Sequence, residues 1–274
     1  ILAEGWMLSC HKDGMNTIDG GEYDGQTLES VIEKEGKEKL VGTRSLDFPY
    51  FPVLIKLIDA KDNLSIQVHP DNEYAKRVEH EFGKTEIWYV IDATDDAQLV
   101  YGFKNKISKE EFKKAIEENT LLDVLNTVKV KKGDLFFIEA GTVHAIGKGV
   151  LIAEIQQNSN STYRVYDYGR IGKDGKPREL HIKKAVDVSV TEPPKYDIKP
   201  MGETVKADGY DSTLLTKCDL FTVNHYDVNK KLTLETDEKS FNHILVINGS
   251  GNINEKELNK GDSFFVPAGY GKYE

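Results

Sequence analysis

Cysteine is scarce in this chain. Cys10 and Cys218 are the two cysteines among 274 residues, and neither belongs to a CxxC pair or to another spacing typical of metal sites. This arrangement excludes a cysteine-based metal or redox motif. We expect two free thiols in a reducing cytoplasm, although a single disulfide between them is also compatible with the sequence.

Positive charge and long apolar runs are also in short supply. The chain has 36 Lys and Arg residues against 46 Asp and Glu residues, which gives a net charge of −10 at pH 7. An acidic chain is a poor partner for nucleic acid or an anionic membrane, and no apolar run approaches the roughly 20 residues of a membrane span. A small anionic substrate is still compatible, provided that Lys and Arg cluster locally inside a pocket.

Short, β-prone segments separated by turn residues make up most of the chain. They include 53–58, 85–91, 98–103, 150–155 and 163–168, and they return at close spacing after residue 214. This pattern predicts a mainly β protein built as a sandwich or barrel. Helices are predicted over 27–38, over 181–188 and in an insert near 108–126, which opens with a capping box at Ser108.

Segment 64–70 is the strand that says most about function. Its alternation of apolar and polar residues predicts a half-buried strand with Ser65, Gln67 and His69 on one face. The apolar residues, beginning with Leu64, are expected on the other face. An amide oxygen and an imidazole one strand step apart could form half of a metal site, and a purely structural histidine is the competing interpretation.

A nine-residue segment occurs twice in the chain. Residues 133–141 (GDLFFIEAG) recur as 261–269 (GDSFFVPAG), with six of nine positions identical. Upstream, the strand that starts at Glu86 is matched with the segment that starts at His243. Such a duplication predicts two copies of one β-barrel unit.

The two copies differ just after the repeated segment. The first copy continues to His144, whereas the second has Lys272 at the corresponding position. This glycine–strand–glycine–histidine pattern resembles the second motif of the cupins, which are jelly-roll barrels with a metal at the mouth. We therefore expect a metal in the first barrel and a structural or interface role for the second, with His243 not acting as a ligand.

These patterns together predict two cupin-type jelly-roll barrels with a small helical insert. We assign 1–168 to an N-terminal catalytic domain and 169–210, which contains several prolines, to a linker. Residues 211–274 are assigned to a metal-less cupin-like domain. The chain begins without Met or a signal-peptide pattern and stops after a glycine-rich turn, so we expect it to be a trimmed part of a longer chain.

Four polar side chains form the candidate ligand set, namely Gln67, His69, Glu86 and His144. Two imidazole nitrogens, one carboxylate and one amide oxygen suit Zn²⁺, and also Mn²⁺, Fe²⁺ or Co²⁺. Such a set leaves a coordination position open for water or substrate. That arrangement is typical of catalytic rather than structural metal sites.

Several motifs jointly resemble one family. Gln-Val-His-Pro at 67–70, Gly-Lys-Thr-Glu at 83–86, Gly-Thr-Val-His at 141–144 and Thr-Tyr-Arg-Val-Tyr-Asp at 162–167 are similar to those of type I mannose-6-phosphate isomerase in its short bacterial form. The resemblance covers most of the chain. It implies an aldose–ketose isomerase, with one Zn²⁺ per chain, that interconverts mannose 6-phosphate and fructose 6-phosphate through an enediolate.

The resemblance also implies roles for individual residues. Gln67, His69, Glu86 and His144 match the metal ligands of the family, Arg164 matches an arginine needed for catalysis, and Ser65 and Lys56 match positions near the substrate phosphate. Lys84 matches the lysine two residues before the metal Glu, and Glu154 matches a carboxylate that follows the metal His. From their chemistry we expect Glu154 and Lys84 to take part in catalysis, and Lys84 to bind the phosphate with Lys56 and Ser65. One departure is Asn160, where relatives often carry Asp. If that Asp takes part in proton transfer, its role must move or weaken here.

Structural interpretations compete with these roles. Arg164 can be a stacking arginine among aromatic residues, Lys84 a solvated loop charge, and Glu154 the partner of a core cation. Lys56 can be a snorkelling side chain at a strand edge. The identity of the general base stays open among Glu154, a hydroxide on the metal and a Lys84 with a strongly lowered pKa.

Two other functions compete with the isomerase. A cupin metal oxygenase is disfavoured because the ligand set contains Gln and Glu rather than more histidines. A non-catalytic sugar-phosphate-binding cupin is disfavoured because four metal positions and Arg164 are intact. We expect a cytoplasmic monomer or weak homodimer that binds a small sugar phosphate and neither nucleic acid nor membrane.

Overall fold

Strands dominate this protein, for which a computed structural model describes residues 2–172 and 174–274. Within that part of the chain the strands are, in order, β1 Leu2–Leu8, β2 Cys10–His11, β3 Gly14–Met15, β4 Val53–Ala60, β5 Ile66–Val68, β6 Glu86–Ala93, β7 Gln98–Phe103, β8 Leu125–Lys129, β9 Leu135–Ile138, β10 His144–Ile146, β11 Val150–Gln157, β12 Tyr163–Tyr166, β13 Val205–Ala207, β14 Tyr210–Lys217, β15 Thr222–Val228, β16 Leu234–Thr236, β17 Asn242–Leu245, β18 Ser250–Ile253, β19 Lys256–Asn259, β20 Ser263–Val266 and β21 Gly271–Tyr273. The prediction of a mainly β protein is confirmed.

Helices are short and few by comparison. They are α1 Leu28–Glu35, α2 Lys37–Val41, α3 Asn72–Val78, α4 Lys109–Glu117, α5 Leu121–Val124 and α6 Ile182–Val188, with a 3-10 helix at Thr43–Asp47. The Thr27 side chain accepts a hydrogen bond from the Ser30 amide and caps α1, which ends at Gly36. Ser108 and Glu111 form the predicted capping box of α4, which satisfies amide groups that the first turn would otherwise leave without partners. The helical insert ends at Leu125, where β8 begins.

The chain divides into two compact units. The first contains Leu57–Lys199 together with the N-terminal residues up to Gly5, and the second contains Trp6–Lys56 and Pro200–Glu274. The sequence-based boundaries after residues 168 and 210 would divide the chain differently from these two units. Those boundaries stay a prediction. Both cysteines, Cys10 and Cys218, belong to the second unit and are free thiols.

Two five-stranded sheets contain strands β5 to β12 of the first unit, together with β1 and β4, whose residues are divided between the two units. One sheet has the order β1-β4-β11-β6-β9 and the other β12-β5-β10-β7-β8. All the strand pairs recorded between β5 and β12 are antiparallel. Over the described residues these sheets are open, so the predicted jelly-roll barrels stay a prediction.

Two apolar clusters in the first unit define the faces of the second sheet. The inner cluster draws on both sheets and includes Trp88, Val90, Leu99, Tyr101, Phe136, Ile138 and Ile152. The outer cluster joins the opposite face of β5, β7, β10 and β12 to the helices and includes Ile66, Val68, Val100, Val143, Ala145, Tyr163, Val165, Phe112, Leu121 and Ala185. Each fully buried aliphatic or aromatic side chain contributes about 1.5–3 kcal/mol to folding. The clusters therefore hold α4 and α6 on one face of the sheet and leave the other face to the inner cluster.

The alternation predicted for segment 64–70 is confirmed for its strand. Ile66 and Val68 belong to the outer cluster, so Gln67 between them faces the other way. The prediction for Leu64 is wrong, because this residue packs against the inner cluster. Regular strand begins only at Ile66, so the period of two does not extend back to Leu64.

Both copies of the repeated segment pair with an upstream strand to form a hairpin, but the register differs from the sequence match. Ile138 on β9 pairs with Glu86 on β6, and the corresponding Val266 on β20 pairs with Asn242 on β17. The structural counterpart of Glu86 is therefore Asn242. The match of Glu86 with His243 was one residue out of register, since apolar similarity alone does not distinguish the two faces of a strand.

No helix among the described residues is both long and apolar enough to cross a membrane.

Gly147 directly follows β10 and lies very close to Gln98, the first residue of β7. An added Cβ there would lie 1.8 Å from the Gln98 carbonyl oxygen. We expect Gly147→Ala to lower the free energy of unfolding by about 1–3 kcal/mol, because the two strands must separate to admit the methyl group. Chemical denaturation monitored by circular dichroism would measure the loss.

Gly251 on β18 provides the matched control. Its added Cβ would meet only Leu258 Cδ1 at 3.7 Å, which is ordinary van der Waals contact. Gly251→Ala should therefore leave the unfolding midpoint nearly unchanged. Equal destabilisation by the two substitutions would contradict the steric argument.

Candidate metal centre

A row of polar side chains crosses the second sheet. Gln67 on β5 lies opposite His144 on β10 and also opposite Arg164 on β12. Directly opposed residues of antiparallel strands present their side chains on the same face. Val143 and Ala145 beside His144 belong to the outer cluster, so the three polar side chains face the first sheet.

Glu86 enters from the first sheet, and the turn before it explains its position. The Gly83 amide donates to Asn72 Oδ1 at 3.0 Å, and the Lys84 amide donates to the Pro70 carbonyl at 3.0 Å. A Cβ on Gly83 would lie 2.4 Å from the Asp71 carbonyl carbon, so only glycine permits this approach. The start of β6 is thereby held against the residues that follow His69.

His69, Glu86 and His144 converge in one cluster. His69 Nε2 lies 3.7 Å from Glu86 Oε2, and His144 Nε2 lies 3.6 Å from Glu86 Oε1. The three side chains are buried, and their ligand atoms all lie within 4.8 Å of one another. The structure thus brings together three of the four residues predicted as ligands from two different sheets.

Backbone carbonyls determine which ring nitrogen faces the cluster. His69 Nδ1 lies 2.9 Å from the Ser161 carbonyl and His144 Nδ1 lies 2.8 Å from the Thr142 carbonyl. Because a carbonyl oxygen only accepts, each Nδ1 carries a hydrogen and each Nε2 faces the cluster. Burial lowers the pKa of His144 to about 4, so this imidazole is neutral near pH 7, as a metal ligand must be.

Gln67 completes the set at its edge. Its side-chain amide nitrogen lies 3.4 Å from His144 Nε2. The nitrogen and oxygen of the amide exchange places by a half-turn about the terminal bond. That rotation would direct an oxygen ligand toward the cluster beside His144.

The donor set fits a divalent metal. Bonds of about 2.0–2.1 Å to a tetrahedral zinc ion place neighbouring ligand atoms about 3.4 Å apart. The two His–Glu separations, 3.6 Å and 3.7 Å, are close to that value. Two imidazoles whose Nε2 atoms face the cluster and one carboxylate are ligands of the right type for zinc and its neighbours in the first transition series.

A buried lysine separates the cluster from a second carboxylate. Lys84 Nζ lies 3.0 Å from Glu86 Oε2 and 3.7 Å from Glu154 Oε1, and all three side chains are buried. Burial acts to lower the pKa of Lys84, but the charges of Glu154 and Glu86 outweigh it and raise that pKa above its ordinary value. Lys84 is therefore an ammonium whose charge offsets the carboxylates.

Two neighbours of the cluster, Trp88 and Gln156, were given no role on the basis of the sequence. Trp88 donates its indole N–H to Glu154 Oε2 at 3.0 Å. Gln156 lies opposite Glu86 across β6 and β11, and its amide nitrogen donates to the carbonyls of Gln157 and Ser159. Both side chains lie on the same face of the sheet as Glu86, because Trp88 follows Glu86 by two residues and Gln156 is its cross-strand partner. For Trp88, this spacing of two residues is the feature of the sequence that could have predicted a position near the cluster.

Arg164 lies on the basic side of this site. Its Nε is 3.4 Å from Ser65 Oγ, and its Nη1 donates to the Glu179 carbonyl at 3.0 Å. Burial and the nearby charge of Arg178 lower the pKa of Arg164, which still leaves a guanidinium charged at neutral pH. Ser65 and Arg164, predicted separately from the sequence, are thus neighbours.

Asp167 holds two further arginines near Arg164. Its carboxylate accepts from Arg178 Nε at 2.7 Å and from Arg170 Nε at 3.1 Å. Burial acts to raise the pKa of Asp167, but the hydrogen bonds from Arg178 and Arg170 outweigh it and lower that pKa. The carboxylates of Asp167 and Glu179 are outnumbered by the guanidinium groups of Arg164, Arg170 and Arg178, which leaves a local excess of positive charge, as an anionic substrate of an acidic protein would require.

Lys56 and Asn160 are the remaining residues singled out from the sequence. Lys56 belongs to the second compact unit and is buried, with its ammonium 4.9 Å from the centroid of the Trp6 ring. A role of Lys56 in phosphate binding stays a prediction. Asn160 is exposed in the loop between β11 and β12, next to the Ser161 carbonyl that orients His69.

Family models match both parts of the chain. “Phosphomannose isomerase type I, catalytic domain” matches residues 1–113, and “Mannose-6-phosphate isomerase, cupin domain” matches residues 211–274. The second match covers the segment with the second copy of the repeat.

Individual proteins are similar over nearly the whole chain. Mannose-6-phosphate isomerase ManA of Bacillus subtilis (strain 168) is 40% identical over 276 residues, which cover 99% of this chain and 85% of that protein. The crystal structure of the mannose 6-phosphate isomerase from Bacillus subtilis has a TM-score of 0.87 and 37% identity, over 98% of this chain and 85% of that one. A mannose 6-phosphate isomerase structure described as holo and zinc bound shares the fold, with a TM-score of 0.75 and 18% identity, over 99% of this chain and 87% of that one. On this identity and coverage, the chain belongs to the type I mannose-6-phosphate isomerase family of the cupin superfamily.

Proposed function

We propose that this chain is a metal-dependent aldose–ketose isomerase that interconverts mannose 6-phosphate and fructose 6-phosphate through an enediolate. The observation that carries the proposal is the buried His69–Glu86–His144 cluster, with Lys84 between Glu86 and the second buried carboxylate, Glu154. The relatives named as isomerases support the substrate pair. A buried base beside a metal centre is the combination that proton transfer next to a carbonyl group requires.

The residues that would hold the metal are His69, Glu86 and His144, with Gln67 at the edge. The donors and the zinc-bound relative support one Zn²⁺ per chain. When bound, zinc supplies Lewis-acid polarisation of the sugar oxygens at C1 and C2.

Glu154 is the proposed general base. Its carboxylate takes the proton from C2 of the open-chain aldose and returns it to C1, while the O2 hydroxyl loses a proton and O1 gains one. Lys84 favours the ionised form of Glu154 through its charge, since the raised pKa of Lys84 keeps it protonated. The same raised pKa argues against Lys84 as the base.

Arg164 and Ser65 are proposed to bind the anionic part of the substrate or intermediate. The Arg164 guanidinium adjoins Ser65 Oγ and lies in register with Gln67 at the edge of the ligand set. Arg170 and Arg178 add positive charge on the same side. Lys84 is less suited to a phosphate, because Glu86 and Glu154 already balance its charge.

The proposal also covers the domain boundaries, the cellular location and the oligomeric state of the chain. We assign 1–168 and 211–274 to two cupin-type units joined by 169–210, in line with the family model that matches 211–274. The free thiols of Cys10 and Cys218 favour a cytoplasmic protein. The proposed oligomeric state is a monomer or weak homodimer.

A coupled assay for fructose 6-phosphate formed from mannose 6-phosphate tests the function. Purified protein should be active, lose activity when zinc is removed with a chelator, and regain it on addition of Zn²⁺. Absence of turnover after zinc repletion would contradict the isomerase. Substrate binding without turnover would instead favour the sugar-phosphate-binding cupin.

Metal content can be measured without any assay of activity. We expect His144→Ala to lower bound zinc from about one ion per chain to nearly none, because the centre loses a buried nitrogen ligand. Elemental analysis of the purified variant would measure this loss.

His243→Ala is the matched control for zinc content. His243 lies on β17 of the second unit, where its Nε2 is 2.7 Å from Ser263 Oγ, and the cluster does not include it. This variant should keep its zinc. Stoichiometric zinc in His144→Ala would refute the assigned centre.

Arg164 is expected to act on the reaction rather than on the metal. We predict that Arg164→Ala lowers kcat by about 10²–10³-fold, because a guanidinium that stabilises developing negative charge is lost. Steady-state kinetics and zinc analysis on the same sample would check the prediction. Loss of zinc from this variant would show that Arg164 supports the metal centre instead.

A further inference from the structure

Trp88 touches two functional groups of the site. Its indole N–H donates to Glu154 Oε2 at 3.0 Å, and its ring packs edge-on against His144, with centroids 5.1 Å apart and an interplanar angle of 82°. The side chain is completely buried. A buried donor bonded to a carboxylate gives a strong and directional contact.

Strand register places this donor where the carboxylate needs it. Trp88 on β6 lies directly opposite Glu154 on β11, and the neighbouring pair is Glu86 with Gln156. The two oxygens of Glu154 are thereby distinguished, since Oε2 accepts from Trp88 and Oε1 faces Lys84 at 3.7 Å. Rotation of the carboxylate would disturb both contacts.

The second copy of the repeat shows which side chain stands at the position of Trp88 when the candidate ligands are missing. Because Trp88 pairs with Phe136 and Ile244 pairs with the corresponding Phe264, Ile244 is the counterpart of Trp88. In that copy Asn242 stands at the position of Glu86. An aliphatic side chain thus suffices at this point of the hairpin where the ligand is missing, so packing alone does not account for the indole N–H.

We propose that Trp88 is a positioning residue that fixes the Glu154 carboxylate for proton transfer. This inference rests on the proposed function, in which Glu154 is the general base. Trp88 itself gives no proton to the substrate. Its N–H holds one oxygen of Glu154, so that the carboxylate meets the C1 and C2 protons in one orientation.

A double-mutant cycle with Glu154 tests the inference in the zinc-loaded protein. Trp88→Phe keeps an aromatic ring and removes the N–H, so we expect kcat to fall about tenfold or more with KM changed less than about twofold. Glu154→Gln alone should lower kcat by at least about 10²-fold. If Trp88 acts through Glu154, Trp88→Phe should have little further effect in the Glu154→Gln background.

The controls separate positioning from a general loss of packing. Tyr101→Phe also removes a buried donor from an aromatic residue of the inner cluster, because Tyr101 Oη donates to the Phe137 carbonyl at 2.9 Å. It should lower the unfolding midpoint and leave kcat nearly unchanged. A Trp88→Phe effect of equal size in both Glu154 backgrounds would overturn the positioning role, and an unaltered kcat in Glu154→Gln would overturn both this role and the proposed base.

A spectroscopic measurement avoids any substitution of Trp88 and any use of activity. The chain has two tryptophans, so nitrogen-15 labelling of tryptophan should give two indole N–H resonances, and Trp6→Phe identifies that of Trp88. Glu154→Gln replaces a charged acceptor with a weaker neutral one, so the Trp88 indole proton should move upfield. A resonance that does not move would contradict the hydrogen bond on which the inference depends, even if the isomerase activity is confirmed.

Discussion

The charge of Glu86 is the constraint on which the rest of this site depends. An ionised carboxylate that is removed from water costs several kcal/mol unless other groups compensate it. Lys84 provides a cation at 3.0 Å, and two imidazole nitrogens lie at 3.6 Å and 3.7 Å. A divalent ion among these donors would add the positive charge that a site with a second buried carboxylate, Glu154, still requires. The same compensation explains why Lys84 stays protonated although it is buried.

The architecture supplies this compensation from two directions. The second sheet brings His144 on β10 and His69 directly after β5, and carbonyl groups of nearby turns set the orientation of both rings. The first sheet brings Glu86, and the glycine turn at Gly83 holds its strand beside the residues that follow His69. The apolar clusters on both faces of the second sheet fix the distance between these groups. A site assembled in this way is preorganised, because none of its members lies on an isolated surface loop.

Sequence reasoning predicted the members of the site better than their arrangement. Alternation along a strand shows which face carries Gln67, and repetition of the glycine-bounded segment singles out His144, since both signals are local. Register between strands is not local. The sequence repeat matched Glu86 with His243 of the second copy. The strand pairs show instead that Asn242 is the residue of the second copy that corresponds to Glu86. A register error of one residue assigns each side chain to the wrong face of its strand. With that error, the sequence match did not show that Ile244 corresponds to Trp88.

Long-range contacts were the other part that the sequence could not predict. The sequence around Asp167 does not indicate that it binds both Arg170 and Arg178, because Arg178 is eleven residues away along the chain. The role of Lys84 depended on a pKa, which is set by the combined effect of burial and two carboxylates, one of them on another strand. The sequence motifs therefore predicted which residue types the proposed metal-dependent isomerisation requires. The protonation state and orientation of those residues followed only from their neighbours in space.

Comparison of the two hairpins shows which side chains differ between the copy that contributes Glu86 to the buried polar cluster and the copy that does not. Both copies retain the glycines at the ends of the repeated strand, and all four have positive φ, namely Gly133, Gly141, Gly261 and Gly269. The backbone conformation of the hairpin is therefore preserved in the second copy, although the buried polar side chains are not. Asn242 and Ile244 stand where the first copy has the buried carboxylate of Glu86 and the indole of Trp88, and neither replacement needs a buried counter-charge. The fold tolerates this exchange because glycine turns and apolar pairing define the hairpin, whereas the site depends on a few buried polar contacts added to it.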